Sequence, residues 1–443
     1  MRFRFHIVTN QFLLVVSLTQ PNHIYVNEAW TEPSDKKRAW ECEQYAAEPM
    51  RRSRYPWSDA VWRPGRLDML YGTSYAQEVI WNHQHPASCD GVKYLTMLHW
   101  PSGIGSLLHF LARALGLALQ LGRVLVLSIE KYDPRPSEPG MPWYDRKHCR
   151  GKVSWECWFL PLTSCVETAG SDTMVIQPEM LGRFRVGNFS RHYVPDAFLE
   201  LLAHCAQVKP QLRFHWWHAQ AMAYIVRFNP ATQKQLSHLR QQLLVVGGAR
   251  RKIQALRRGT IAMHVRRGDK AVEMPLLPFV GYMEQAHRLA SGDPTIPVLG
   301  SQFSSSGSVY AYPVEMFAGR ALFVSTEDPE VIREALATSW QVTYTSENRT
   351  NVDVATMRRQ KGNGRATLES FLNLEIALEA DAWICTLFSH NRTRFSNWCQ
   401  LIDELRMTVG NSASSPYINL VRRDRPRGES CPPFDRDCYI NWR

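Results

Sequence analysis

The chain has 443 residues, 44% of them apolar, which is enough for two domains of ordinary size. Its formal net charge of +11 favours anionic partners. The sequence shows no DNA- or RNA-binding module pattern, so nucleic acid is not expected among them. The cysteines number ten, and none has the two-residue spacing of zinc or redox motifs. Disulfides in a secretory compartment are therefore favoured over free thiols.

The amino-terminal 28 residues are typical of a signal peptide or a short signal anchor. A basic start, residues 1–6, precedes an apolar run at residues 12–18 that is too short for a good transmembrane helix. Contact with a membrane is expected only through this segment. Glycosylation sequons begin at Asn188, Asn348 and Asn391.

The following residues divide into an amino-terminal region, 29–244, a second region, 245–409, and a Pro/Arg-rich tail, 410–443. The pattern predicts a strand, loop, helix and strand over residues 95–128, and a core helix over 107–121 that is apolar nearly all round. Further helices are predicted for three segments: residues 195–207, 213–227 and 279–289. Strands and helices then alternate, which favours a parallel sheet and an α/β fold.

One strand of the second region ends in an unusual cluster of charges. An apolar run, residues 260–265, leads directly into Arg266, Arg267, Gly268, Asp269 and Lys270. The planar fork of an arginine fits phosphate oxygens, and glycine allows a sharp turn where the chain leaves the strand. Ligands of open α/β sheets bind at the carboxyl ends of strands, so the cluster predicts a phosphate or pyrophosphate site. The alternatives are a solvated charge run or an Arg-Gly-Asp adhesion signal.

Five blocks in order, over about residues 90–410, resemble the α1,6-fucosyltransferase family of animal core fucosyltransferases and rhizobial nodulation enzymes. The first are the loop PSGIGS at 101–106 and the aromatic segment FHWWHAQ at 214–220. The central block is HVRRGDK at 264–270, followed by Glu273 and the pair Tyr282-Met283. The last are FVSTEDP at 323–329 and ADAWICT at 380–386 with SNW at 396–398.

The resemblance implies a fold of two Rossmann-like halves related to the GT-B glycosyltransferase architecture, with a parallel sheet in the donor half. It implies inverting transfer of fucose from GDP-fucose to a hydroxyl of a glycan or glycoprotein acceptor. The expected linkage is α1,6 on an N-glycan or chitooligosaccharide-like core, and the expected location is the Golgi lumen. No metal is expected to be required, because the only Asp-x-Asp of the sequence, at residues 435–437, lies in the cysteine-flanked tail.

The resemblance also assigns site residues. Catalytic roles fall to Glu273 as general base, Lys270 as a point charge, Arg266 on the β-phosphate and Asp269 as a residue that orients the arginines. The donor-binding residues are expected to be His264, Arg266, Arg267, Tyr282, Glu327, Asp328, Asn373, Ser396 and Asn397. Structural alternatives remain open for several of them: a loop cap for Asp269, a helix cap for Glu327 and Asp328, and core packing for His264 and Tyr282.

Two departures from the family pattern leave a second function open. The family often has an aspartate where this chain has Asn373, and residues 389–395 are extra sequence before Ser396. An amide has one acceptor fewer than a carboxylate and no charge. A catalytically inactive, carbohydrate-binding relative of the same family is therefore the alternative.

Overall fold

The computed structural model describes residues 70–98, 103–128, 149, 155–168, 170–177, 194–205, 208, 210–268, 276–294, 296, 314–346, 363–385, 396–408 and 417–419. The predictions on residues 1–28, 269–275, 389–395 and 435–437 lie outside these ranges, and with them Asp269, Lys270 and Glu273. In the described ranges, every helix is too short or too polar to cross a bilayer.

The amino-terminal region contains a three-stranded parallel sheet with the order β2-β1-β3. The strands are β1 (Tyr94–Leu98), β2 (Val124–Ser128) and β3 (Thr173–Ile176), and the flanking helices are α1 (Thr73–Gln84) and α2 (Ile104–Gln120). The two strands and the helix expected over residues 95–128 are confirmed, while residues 104–106 of the predicted loop belong to the helix and residues 101–102 lie outside the described ranges. Helix α2 connects two parallel strands and buries most of its length, which explains why it is apolar nearly all round.

Two more helices complete this region, α3 (Pro210–Ile225) and α4 (Pro230–Leu243). The predicted helix at 213–227 is confirmed. The predicted helix at 195–207 is described as far as residue 205, as continuous helical turns that begin as a 3₁₀ turn, Asp196–Phe198, and end as a π-turn, Leu201–Cys205. The ring of Phe198 stacks on Trp217 with 5.5 Å between centroids.

The second region contains a seven-stranded sheet with the order β10-β9-β6-β7-β8-β4-β5. Its strands are β4 (Leu244–Val246), β5 (Ala249–Arg250), β6 (Thr260–Val265), β7 (Ala321–Thr326), β8 (Gln341–Thr345), β9 (Ala382–Cys385) and β10 (Tyr417–Asn419). Its helices are α5 (Phe279–Ala290), α6 (Pro329–Leu336), α7 (Asn363–Glu379) and α8 (Asn397–Thr408). The five strands from β10 to β8 are parallel, so the predicted α/β fold with a parallel sheet is confirmed.

The strand order creates a crevice beside β6. The chain runs from β6 outward to β7 and β8 on one side, and returns to β9 on the other side of β6. Such a reversal opens a gap between the connections at the carboxyl ends of the two central strands, and ligands of open α/β sheets bind there. The crevice between β6 and β9 is therefore where the fold favours a ligand.

Helix α8 joins the two regions. It follows β9 in the chain, but it packs mainly against α3 and α2 of the amino-terminal region. Its buried Leu401 and Leu405 belong to the same apolar cluster as Trp217 and Leu108. The boundary at 244/245 stays a prediction, with β4 as the first strand of the larger sheet along the chain.

Disulfides are present, as the cysteine count predicts. Cys89 pairs with Cys165, Cys149 with Cys157, and Cys385 with Cys399. The described residues include no free cysteine. The bond from Cys385 to Cys399 connects the end of β9 to the first turn of α8, so it holds the start of α8 near the crevice.

Candidate functional site

The carboxyl ends of β6 and β7 bring the predicted cations and carboxylates together. Val265 and Thr326 are register partners at the ends of the two strands. Arg266 therefore follows β6 beside the point where Glu327 follows β7. The sequence predicts both segments at one sheet edge, and the structure places them as neighbours.

Glu327 organises the arginine turn. Its Oε1 accepts a hydrogen bond from Nη1 of Arg266 at 2.6 Å and another from the backbone N–H of Arg267 at 2.5 Å. Gly268 then has a φ of +58°, in the left-handed region that favours glycine, so the predicted sharp turn is present. One carboxylate thus fixes both the side chain and the backbone of the turn.

Arg267 carries an unsatisfied donor. Its Nε is buried and has no hydrogen-bond partner among the described residues. A buried charged donor without an acceptor is costly, and native proteins rarely leave one unexplained. An anion in the crevice would supply the missing acceptor.

Asp328 caps a helix. Its Oδ1 accepts a hydrogen bond from the backbone N–H of Glu330 at 2.9 Å, at the start of α6. This is the helix-capping alternative that the sequence left open. A capping carboxylate still lies at the sheet edge, where a ligand can approach. The donor-binding role of Asp328 therefore stays a prediction.

The start of α8 meets the start of α2. Nδ2 of Asn397 donates to Oγ of Ser106 at 2.6 Å, and Oγ of Ser396 accepts from the backbone N–H of Cys399 at 3.3 Å. A Cβ on Gly105 would lie 3.1 Å from the carbonyl carbon of Asn397, so glycine permits this close approach. Gly105 and Ser106 of the predicted loop, which lie in the first turn of α2, therefore meet Asn397 between the two regions.

His264 and Tyr282 are buried beneath the edge. Nδ1 of His264 is hydrogen-bonded with Oγ of Ser325 at 3.2 Å. Burial, and to a smaller extent the charge of Arg266, lowers the pKa of His264 to about 3, so the ring is neutral at physiological pH. Tyr282 is 1% exposed and packs in the apolar cluster that also contains Val265. Both placements agree with the core-packing alternative.

Asn373 is engaged by the protein. Its Oδ1 accepts from Oγ1 of Thr345, the last residue of β8, at 3.1 Å, and its Nδ2 donates to the carbonyl of Glu369 at 3.0 Å. The residue is buried within α7. Its predicted contact with the donor is not tested by this geometry.

Sequence reasoning missed one cluster next to these residues. His109 of α2, His218 of α3 and Glu404 of α8 lie together and are buried. Both histidines lie in segments that were predicted as helices, but no spacing in the sequence connects them to each other or to Glu404. Only the meeting of the three helices reveals the group.

A scan against protein-family models finds no match, and a search of curated proteins finds none either. The chain is similar to several solved structures. A mutant of Arabidopsis thaliana FUT1 in complex with GDP shares 10% identity at a TM-score of 0.36, over 85% of this chain and 78% of that one. NodZ α1,6-fucosyltransferase soaked with GDP-fucose shares 13% identity at a TM-score of 0.33, over 70% of this chain and 92% of that one.

Fucosyltransferase NodZ from Bradyrhizobium is similar at 12% identity and a TM-score of 0.33, with the same coverage of 70% and 92%. These solved structures are fucosyltransferases, the class of enzyme whose motifs the sequence resembles. At such TM-scores the superpositions assign no residue of this chain to a role.

Proposed function

We propose that the chain is a glycosyltransferase that transfers fucose from GDP-fucose to a hydroxyl of a glycan acceptor. The observation that carries the proposal is the arginine turn at the crevice between β6 and β9. Arg266 and Arg267 stand at the carboxyl end of the central strand, where the strand order favours a ligand. The motif resemblance supplies the identity of the nucleotide.

The chemistry requires a stabilised leaving group. When the bond between the anomeric carbon and the β-phosphate oxygen breaks, negative charge develops on GDP. Preorganised cations aimed at that charge lower the barrier, because they need no rearrangement during the reaction. Glu327 holds Arg266 and the backbone of Arg267 in place before any ligand binds. The buried Nε of Arg267 offers a donor to a diphosphate oxygen.

The acceptor hydroxyl must lose a proton as it attacks. In an inverting reaction one base on the face opposite the leaving group is sufficient, and the resemblance assigns this role to Glu273. Asp269 and Lys270 lie between the arginines and Glu273 in the chain, and a nearby cation favours the ionised form that a base requires. Two arginines and a lysine neutralise the diphosphate, so the proposed reaction needs no metal.

The finer assignments are supported by the resemblance alone. They are the α1,6 linkage, an N-glycan or chitooligosaccharide-like acceptor, donor contacts from Ser396 and Asn397, and a Golgi location. The disulfides are compatible with a secretory protein.

Two measurements on the purified chain test the proposal. Calorimetry with GDP and UDP should show binding of GDP and none of UDP at the same concentration. An assay of fucose transfer from GDP-fucose to a panel of N-glycans and chitooligosaccharides should then detect product. Binding of UDP as tight as that of GDP would contradict the nucleotide assignment. Binding of GDP without transfer to any acceptor would favour the inactive carbohydrate-binding relative.

The base is tested by Glu273→Gln, which keeps the shape of the side chain and removes its basicity. It should leave GDP affinity nearly unchanged and reduce transfer by about 10²-fold or more. The matched control is Glu284→Gln, on the exposed face of α5, which should change neither quantity. Transfer by Glu273→Gln at the control rate would exclude Glu273 as the base.

A further inference from the structure

Three helices bring two histidines and a carboxylate together in the interior, outside the arginine turn. His109 comes from α2, His218 from α3 and Glu404 from α8, and all three are buried. Nε2 of His109 lies 3.2 Å from Oε2 of Glu404, and Nδ1 of His218 lies 3.4 Å from Oε1. The two rings thus face the two oxygens of one carboxylate.

Several polar atoms of this group lack a hydrogen bond. Nε2 of His109, both ring nitrogens of His218 and Oε2 of Glu404 make ion-pair contacts at most, and none of them forms a hydrogen bond of normal geometry with a described residue. Nearly all buried polar atoms in native structures have a partner, so four in one cluster point to a missing species. A single cation between the rings and the carboxylate would satisfy three of the four.

The tautomer of His109 also points to a missing cation. Its Nδ1 lies 2.6 Å from the carbonyl oxygen of Gly105, which can only accept, so Nδ1 carries the proton of a neutral ring. The lone pair of Nε2 then faces the lone pairs of Oε2 of Glu404. Two lone pairs at that separation repel unless a positive charge lies between them. That charge is either a proton or a metal ion.

The separations fit a metal ion. Zinc binds histidine nitrogen and carboxylate oxygen at about 2.0–2.2 Å, so two ligand atoms of a tetrahedral site lie about 3.3 Å apart. The 3.2 Å from Nε2 of His109 to Oε2 agrees with that edge length, and Nδ1 of His218 lies 3.4 Å from the other oxygen of the same carboxylate. Both distances exceed the usual 2.7–2.9 Å of a hydrogen bond between a charged histidine and a carboxylate. All three ligand atoms lie within 4.8 Å of one another.

We propose that His109, His218 and Glu404 bind one divalent transition-metal ion, with zinc as the best match to two imidazoles and a carboxylate. The surroundings resemble those of known sites, where outer groups orient the ligands. The carbonyl of Gly105 orients His109, and Nε2 of Gln400 donates to Oε1 of Glu404 at 2.7 Å.

The charges around the group are consistent with this ligand set. Burial lowers the pKa of His218 to about 4, which leaves its ring neutral and able to ligate at neutral pH. Burial opposes the ionisation of Glu404, but the two histidines outweigh that effect and hold its pKa below the ordinary value. Arg113, one turn after His109 on α2, adds positive charge near the carboxylate. Its positive charge therefore weakens the attraction of Glu404 for a cation.

The metal would be structural. It would join α8, which follows β9 of the larger sheet, to α2 and α3 of the amino-terminal region. His109 lies one helical turn after Ser106 on α2, and Glu404 lies two turns after Asn397 on α8. The proposed site is therefore next to the contact between Ser106 and Asn397. The ion is separate from the arginine turn, and the metal-free transfer reaction proposed above does not pass through it.

Metal content tests the proposal independently of transfer activity. The full chain, purified and then dialysed against buffer with free zinc removed, should retain about one zinc per chain by mass spectrometry of the digested protein. Glu404→Gln and His218→Gln should each lower that content by about tenfold or more. The matched control is His204→Gln, because His204 forms an exposed pair with Glu200 at 3.6 Å. The control should retain the full content.

Cobalt provides a readout that does not depend on a variant that folds. The wild-type chain, stripped with a chelator and loaded with Co²⁺, should show the visible absorption of a tetrahedral cobalt site. Added zinc should remove that absorption. A folded wild-type chain that takes up neither ion overturns the proposal, and a proton between His109 and Glu404 then accounts for their geometry. Full zinc content in folded Glu404→Gln would overturn it as well.

Discussion

Two arginine–glutamate pairs, one between the two regions and one at the edge of the larger sheet, show how the same residue types serve different purposes. Arg240 of α4 and Glu379 of α7 form a bidentate pair, with side chains 9% and 0% exposed. Oε2 of Glu379 also accepts from the backbone N–H of Leu256 at 3.1 Å. Arg266 and Glu327 meet at the sheet edge through one Nη1, with side chains 18% and 17% exposed.

The two pairs differ in the hydrogen-bond donors that each carboxylate accepts from. Both oxygens of Glu379 are used inside the protein, and the pair connects two helices away from solvent. Glu327 uses a single oxygen, Oε1, for two donors of the arginine turn, at the edge where a ligand can approach. A matched, buried pair therefore stabilises the fold, whereas the edge pair positions cations for an anion. Substitutions at the two pairs and at the residues beside them separate these roles.

Glu379→Ala should have the largest effect on stability. It leaves the guanidinium of Arg240 buried without its carboxylate, and uncompensated buried charges typically cost about 3–5 kcal/mol. Urea denaturation should show a loss of that size in the free energy of unfolding. The control is Glu330→Ala, which removes an exposed ion pair with Arg333 and should cost under about 1 kcal/mol. Equal losses in the two variants would contradict a structural role for the buried pair.

Arg267→Ala should weaken GDP binding without a comparable loss of stability. Charge-assisted hydrogen bonds contribute about 1.5–3 kcal/mol, so affinity should fall more than tenfold by calorimetry. Arg288→Ala is the control. Arg288 lies in the last turn of α5 and pairs with Asp293, and α5 runs away from the carboxyl ends of the strands. Unchanged GDP affinity in Arg267→Ala would remove Arg267 from the site.

His264 should make stability depend on pH. Its folded pKa of about 3 lies below the ordinary value of 6.5, so the unfolded chain binds the proton more readily. The stabilisation is complete above pH 6.5 and is lost as the pH falls toward 3. Between pH 7 and pH 5 the wild type should lose about 2 kcal/mol more than His264→Gln. Parallel pH profiles of the two proteins would show that His264 is not buried in its neutral form.

Glu327→Gln should have the smallest effect. It keeps an oxygen near the turn but removes the charge that orients Arg266, so GDP affinity should fall about fivefold, or roughly 1 kcal/mol. Stability should change by less than about 1 kcal/mol, because the pair is partly exposed. The control Glu330→Gln changes an exposed carboxylate of α6 and should leave GDP affinity unchanged. An equal fall in affinity for Glu330→Gln would show that the effect of Glu327→Gln does not depend on the pair with Arg266.

Local patterns predicted much of the fold and part of the site. Helix α2 followed from an apolar stretch too short for a membrane span, and β6 from a buried run that ends in charges. The turn at Gly268 followed from the backbone freedom of glycine. These features depend on neighbours in the chain, and periodicity and turn chemistry report on such neighbours.

Contacts between distant segments were beyond the sequence. Asn397 and Ser106 are 291 positions apart, and no pattern in either segment indicates the other. The sequence likewise predicts a helix near residues 196–205 but not its 3₁₀ and π turns or the contact of Phe198 with Trp217.

Most elements, the α/β class and the cations after the central strand could be predicted from the sequence, because burial and backbone freedom act over a few residues. The packing of distant segments placed Glu327 against the arginine turn, and the structure shows that Asp328 caps a helix. It alone brought His109, His218 and Glu404 together in the interior. Strand order and helix packing select partners across the whole chain, and a buried carboxylate acquires its chemistry from the donors that such packing places around it.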